Sequence, residues 1–143
     1  MDIPSNLFVD TSFFIALLNK EDDDHAQALT LQSQISAQTF RKYTSEYVLL
    51  ELGDGLSRLR FRHLAVQLID LVYNDATFEI VPASSDRFIK AHTLFKHRPD
   101  KEWGLTDCTS FVIMQEFGLD AALTVDRHFQ QAGFRALLLE IGD

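Results

Sequence analysis

An α/β fold is what this sequence predicts: a mostly parallel sheet of about five strands, covered on both faces by helices. Two observations carry that expectation. Short apolar runs alternate with longer stretches of helical periodicity along the whole chain, the pattern of parallel strands joined by helical crossovers. Two of those runs, Leu7-Phe8-Val9 and Ala122-Leu123-Thr124-Val125, stop on an aspartate directly before a helix begins. Asp10 and Asp126 are thereby placed at strand ends, where open α/β sheets gather their ligands.

In chain order, the first strand ends at Asp10 and a helix over about residues 12–18 follows, which Asp10 or Thr11 can cap. The acidic run Glu21-Asp22-Asp23-Asp24 before His25 reads as the solvated start of a second helix reaching about residue 37, with Asp23 or Asp24 as cap, because acids favour the positive end of a helix. His25 belongs with it as a surface residue. Residues 41–44 read as a strand, and Ser45 caps a third helix to about residue 60. A fourth helix, about 62–73, carries Leu64, Leu68, Leu71 and Val72 on one face. Residues 77–81 form a strand that Pro82 halts. Ser85 or Asp86 opens a helix to about residue 96, and a polar loop runs to Lys101. A helix over about 106–117, a strand over 121–125, a short helix after Asp126 and a last strand over about 136–141 complete the chain.

A length of 143 residues suits one domain, residues 1–143, with a single core. The chain is 46% hydrophobic and 24% charged, a soluble globular composition, and twelve Phe add core volume. Cys108 is the sole cysteine, which excludes an intrachain disulfide and a cysteine-based zinc site and fits a reducing cytosol. No apolar run has the length of a membrane span, and the start, Met-Asp-Ile-Pro-Ser-Asn, lacks the basic and apolar regions of a signal peptide. A cytoplasmic protein without a membrane partner is expected. The net charge of -8 argues against gripping nucleic acid by bulk electrostatics, but not against an enzyme whose clustered carboxylates are neutralised by bound cations.

Two further acids join Asp10 and Asp126 as candidates. Glu51, in Tyr47-Val48-Leu49-Leu50-Glu51-Leu52, falls at the edge of the apolar face of the third helix. It either reaches water or, if buried, needs a cation or donors; Gly53 and Gly55 beside it suggest a close approach. Asp107, in Leu105-Thr106-Asp107-Cys108-Thr109-Ser110-Phe111, occupies the first turn of a helix, where a carboxylate complements the dipole. Asp100 reads as a turn former, and His128 as a helix-surface residue, a ligand or a proton carrier. Carboxylates without a zinc-type signature suit Mg2+ or Mn2+ and phosphoryl chemistry, in which metals activate water and stabilise a charged leaving oxygen.

With Phe8-Val9-Asp10-Thr11-Ser12, Leu50-Glu51-Leu52, the Asp107 block and Leu123-Thr124-Val125-Asp126-Arg127-His128-Phe129 in this order, the chain resembles the PIN-domain ribonucleases, and more specifically the VapC-type toxins of bacterial toxin–antitoxin pairs. The resemblance implies a three-layer α/β/α sandwich and a catalytic, metal-binding quartet of Asp10, Glu51, Asp107 and Asp126 holding one or two Mg2+ or Mn2+ ions. It also implies endonucleolytic hydrolysis of RNA, a cognate antitoxin that blocks the site, and assembly as a homodimer or a toxin–antitoxin hetero-oligomer. Ser12 becomes a candidate for holding a metal-bound water or an acidic ligand, and Asp100 an accessory acid outside the main set.

RNA binding still needs positive charge. Arg58-Leu59-Arg60-Phe61-Arg62-His63 is the densest basic stretch; it serves either to contact phosphates or to complement the C-terminus of the third helix. Lys96-His97-Arg98 with Lys101 is a second. Trp103 is the aromatic to test for base stacking, against core packing, and Cys108 reads as a small buried residue. Among other classes, a receiver-type signalling domain is disfavoured because Asp10 is followed by Thr11-Ser12 and no lysine follows the last strand. A phosphatase with an Asp-x-Asp nucleophile fails on Ser12. A PIN-fold module that has lost catalysis would lack a quartet acid, and none is missing.

Overall fold

The computed structural model describes residues 2–37 and 40–141. Five strands, β1 (Asn6–Val9), β2 (Arg41–Ser45), β3 (Phe78–Val81), β4 (Ala121–Leu123) and β5 (Arg135–Ala136), form one sheet in the order β3-β2-β1-β4-β5. Every pairing is parallel. The helices α1 (Thr11–Leu18), α2 (His25–Ser36), α3 (Glu46–Gly55), α4 (Leu59–Asn74), α5 (Ser85–His97), α6 (Leu105–Glu116), α7 (Arg127–Gln131) and α8 (Leu137–Glu140) lie between and after them.

Both faces of the sheet are covered. Successive strand residues point to opposite faces, yet Leu7, Phe8 and Val9 are all buried, as are Ala121, Ala122 and Leu123. On one face Phe8 meets Phe129 of α7, which meets Phe111 of α6 edge-on. On the other, Phe14 of α1 packs on Phe78. Phe8, Phe13 and Phe129 are wholly buried, and each contributes about 1.5–3 kcal/mol through burial.

The chain winds outward from β1 to β2 and β3, then returns to the other side of β1 with β4. This reversal opens a crevice at the carboxyl ends of β1 and β4. Asp10 follows the first of these strands directly, and Asp126 comes three residues after the second.

Several boundaries differ from expectation for identifiable reasons. Ser45 caps α3 as expected, its hydroxyl accepting from Val48 N at 3.1 Å, but α3 stops at Gly55 rather than near Arg60. Gly53 and Gly55 weaken its last turn. Neither marks a close approach: a Cβ on Gly53 would meet nothing within 4 Å, and one on Gly55 would sit 4.0 Å from Ile15 Cδ1. The last strand is only Arg135–Ala136 and gives way to α8. Leu137 and Leu138 are both buried, and a short apolar run does not separate a buried strand from a buried helical turn. The helical turn brings Glu140 back to pair with Arg135 five residues earlier. His25 is more than a surface residue, since its Nδ1 lies 2.7 Å from Ala16 O and ties the start of α2 to α1.

Candidate active site

Asp10 is the N-cap residue of α1, yet its carboxylate does not cap the helix. It is 5% exposed, and one oxygen, Oδ2, accepts from Thr124 Oγ1 at 2.8 Å and from Ser12 Oγ at 2.9 Å. Each hydroxyl in turn accepts an N–H from the segment after β4: Asp126 N donates to Thr124 Oγ1 at 3.0 Å, and Val125 N to Ser12 Oγ at 3.2 Å. The ends of β1 and β4 are thus stitched together through two side chains. Burial pushes the Asp10 carboxyl up to about 6, against the pull of the Thr124 and Ser12 hydroxyls, and the Asp107 charge raises it further. Ser12 thus holds the carboxylate of Asp10, as expected of a residue that supports an acidic ligand.

Asp107 stands in the first turn of α6, where its Oδ2 accepts from Gly104 N at 3.0 Å. Its carboxyl is also raised, chiefly by burial and further by the Asp126 charge, while the Gly104 N–H and His128 oppose the rise. Asp126 caps α7, accepting from His128 N at 2.8 Å. His128 then turns its ring between the two acids, with Nδ1 3.1 Å from Asp107 Oδ2 and 3.3 Å from Asp126 Oδ1. Ligand atoms of Asp107, Asp126 and His128 lie within 4.8 Å of one another.

Glu51 stands apart from these. It is exposed on α3, as is its neighbour Leu50, while Val48, Leu49 and Leu52 face the core. It makes no hydrogen bond or ion pair among the described residues and is not one of the three clustered groups. Asp100 is also elsewhere, exposed and held in a fork by Arg98 Nε and Nη2 at 3.0 and 3.1 Å, which keeps its carboxyl below the usual range.

The donor set suits a hard divalent cation. Asp10, Asp107 and Asp126 bring three carboxylates together, two of them raised by burial and by the charge of a neighbouring acid, and no Lys or Arg among the described residues pairs with any of them. Carboxylate oxygens are the ligands that Mg2+ and Mn2+ take, and a cation would remove the repulsion.

The remaining candidates sort by burial. Trp103 is a core residue: buried, edge-on to Phe111 at 5.1 Å, its Nε1 donating to Gln131 Oε1 at 3.0 Å. It is not available for stacking on bases. Cys108 is buried, and burial pushes its thiol up to about 11, so it is not a reactive thiolate. The basic residues 58–63 lie at the start of α4 rather than the end of α3. Arginines at a helix N-terminus oppose the dipole instead of complementing it. Arg62 donates to Ser57 O at 2.7 Å and Arg60 lies 4.5 Å from the Phe61 ring, but no acid pairs with either among the described residues. In the second stretch, Arg98 is already engaged by Asp100 and by the Trp103 face at 5.0 Å.

Thr124 was not anticipated. A hydroxyl in the apolar run Ala121-Ala122-Leu123-Thr124-Val125 must find a partner when buried, and that was the available signal. Its partner is the carboxylate at the end of the neighbouring strand.

The PIN domain family model matches residues 7–135, the span from β1 to β5 that carries all of these groups. The chain belongs to the PIN-domain family, VapC type. This PIN domain is 30% identical over 128 residues to the 23S rRNA-specific endonuclease VapC20 of Mycobacterium tuberculosis, an alignment covering 90% of this chain and 95% of the relative. The crystal structure of that sarcin–ricin-loop cleaving toxin superposes with a TM-score of 0.80 at 28% identity, over 90% of this chain and 95% of the other. VapBC2 of Rickettsia felis, solved bound to a DNA fragment from its promoter, shares the fold at 16% identity, with a TM-score of 0.63 over 92% and 96% of the two chains. No helix among the described residues of the PIN domain is long and apolar enough to cross a membrane.

Proposed function

We propose that this PIN domain is a metal-dependent endoribonuclease, the cytoplasmic toxin of a toxin–antitoxin pair, with Asp10, Glu51, Asp107 and Asp126 as its catalytic acids and metal ligands for Mg2+ or Mn2+. The observation that carries this reading is the convergence of three carboxylates at the switch point of the sheet, with no Lys or Arg among the described residues paired to them. Divalent ions held by these acids would supply activation of water and neutralisation of charge at the scissile phosphate.

The protein's own residues hold that chemistry in place. Thr124 and Ser12 fix one oxygen of Asp10 and so orient the other. Gly104 N–H holds the carboxylate of Asp107 in place, and the start of α7 holds that of Asp126. Glu51 is the ligand whose carboxylate stands outside the cluster, on the exposed side of α3. The arginines at the start of α4 supply the positive charge that an acidic protein needs to hold an RNA backbone.

The substrate class follows the relative's name, so 23S rRNA and a fragment carrying its sarcin–ricin loop are the first RNAs to test. Exposed apolar side chains on α4 and α5, among them Leu59, Leu71, Ile89 and Phe95, support a protein partner, an antitoxin or a second copy of the chain. Cleavage of an RNA panel in Mg2+, Mn2+ or EDTA tests the activity. Cutting that needs a divalent ion and is lost in Asp10→Asn and Asp107→Asn is expected; cutting that persists in EDTA would refute the reading.

A further inference from the structure

We propose that His128 is itself a metal ligand, supplying one imidazole nitrogen beside Asp107 and Asp126, and that the site therefore selects Mn2+ or a later first-row divalent ion over Mg2+. This rests on the metal-dependent reading above and goes beyond it by naming a nitrogen donor outside the acidic quartet.

The geometry is specific to this side chain. Nδ1 lies 3.1 Å from Asp107 Oδ2 and 3.3 Å from Asp126 Oδ1. Metal–ligand bonds of about 2.1 Å set two ligands at right angles about 3 Å apart. The separations observed here therefore serve as hydrogen bonds without an ion and match the edges of a coordination polyhedron with one. Three ligand atoms, two oxygens and a nitrogen, lie within 4.8 Å of one another, close enough for one ion to be held by all three.

Local structure aims the ring. Asp126 caps α7 through His128 N, so the acid that shares the site also sets the backbone from which the imidazole projects. The side chain is 30% accessible, open enough for an ion to enter and for the ring to adjust. Mg2+ takes oxygen ligands and keeps much of its water, whereas imidazole binds Mn2+, Fe2+ and the later ions more readily. One nitrogen in an otherwise carboxylate set shifts the preference without excluding Mg2+.

The test is made on the full chain with Mn2+ as the probe. Pulsed electron paramagnetic resonance of the wild-type protein loaded with Mn2+ is expected to show coupling to a directly bound 14N nucleus. His128→Asn keeps the backbone N–H that Asp126 accepts and can still donate to Asp107, but offers no imidazole. In that variant the coupling is expected to vanish. Calorimetry is expected to show Mn2+ affinity down by about tenfold or more and Mg2+ affinity nearly unchanged. Bound Mn2+ with no 14N coupling in the wild type, or equal losses for both ions in the variant, would overturn the His128 assignment while leaving a carboxylate-only nuclease standing. Failure of the wild type to bind any divalent ion, with cleavage persisting in EDTA, would overturn the metal reading as well. The wild-type spectrum decides the matter even if the variant folds poorly.

Discussion

Asp10→Asn should make the metal-free protein more stable while destroying its activity. Asp10 is almost wholly buried, and its carboxyl is held at about 6 in the folded chain against 3.8 for the ordinary group. At about 1.4 kcal/mol per pH unit, keeping it ionised costs the native state about 3 kcal/mol. The sign follows from proton binding. Because the folded value lies above the unfolded one, the native protein holds the extra proton between about pH 4 and 6. The stability tied to that proton is fully present below 3.8 and is lost as the pH rises through about 6. An asparagine keeps the shape and can accept from Thr124 and Ser12 through its amide oxygen, but carries no charge. In EDTA, urea unfolding followed by circular dichroism should find D10N more stable than the wild type by about 1–3 kcal/mol at pH 8. The advantage should shrink as the pH falls to 4, and with Mg2+ or Mn2+ added back the variant should still fail to cleave RNA that the wild type cuts. A variant that is less stable at pH 8, or a difference independent of pH, would refute the view that burial of this charge strains the fold.

Other substitutions probe the remaining parts. Thr124→Val removes a buried hydroxyl that serves a carboxylate and orphans the Asp126 N–H, so it should cost about 1.5–3 kcal/mol in thermal unfolding and weaken Mn2+ binding, with Thr124→Ser restoring both; equal behaviour of the two would remove Thr124 from the site. Replacing Arg60 and Arg62 together by Ala should weaken RNA binding and lower the salt slope by about 1.5, while an unchanged slope would detach the start of α4 from the RNA. Cys108 should resist a thiol-specific reagent at pH 8 in the native state and react on unfolding, because burial holds its thiol at about 11; rapid native reaction would contradict its burial.

The sheet was legible because its strands are short apolar runs between amphipathic helices, and both site aspartates stop such runs. Their adjacency was only conditional in the sequence. It became definite once β4 was found beside β1 rather than beyond β3. Boundaries failed where local signals compete: Leu137-Leu138-Leu139 is equally apolar as strand or helix, and the helical turn comes with a long-range contact to Thr124 O and the Arg135–Glu140 pair. The basic stretch runs on from the third helix in the sequence pattern, whereas Gly53 and Gly55 end that helix and Arg58 caps the next a few residues on. Thr124 and the orientation of His128 were hidden for a related reason. Each acquires its role from a partner more than twenty residues away in the chain, 114 for Thr124 with Asp10 and 21 for His128 with Asp107, beyond the reach of periodicity.

The central claim is that Asp10, Asp107 and Asp126 gather around a divalent cation at the carboxyl ends of β1 and β4. A crystal of the protein soaked in Mn2+, with anomalous diffraction collected at the manganese edge, tests it most directly. The account predicts a peak in contact with Asp107 and Asp126 and facing Asp10. A well-occupied peak elsewhere on the surface, with these three carboxylates left without an ion, would contradict it.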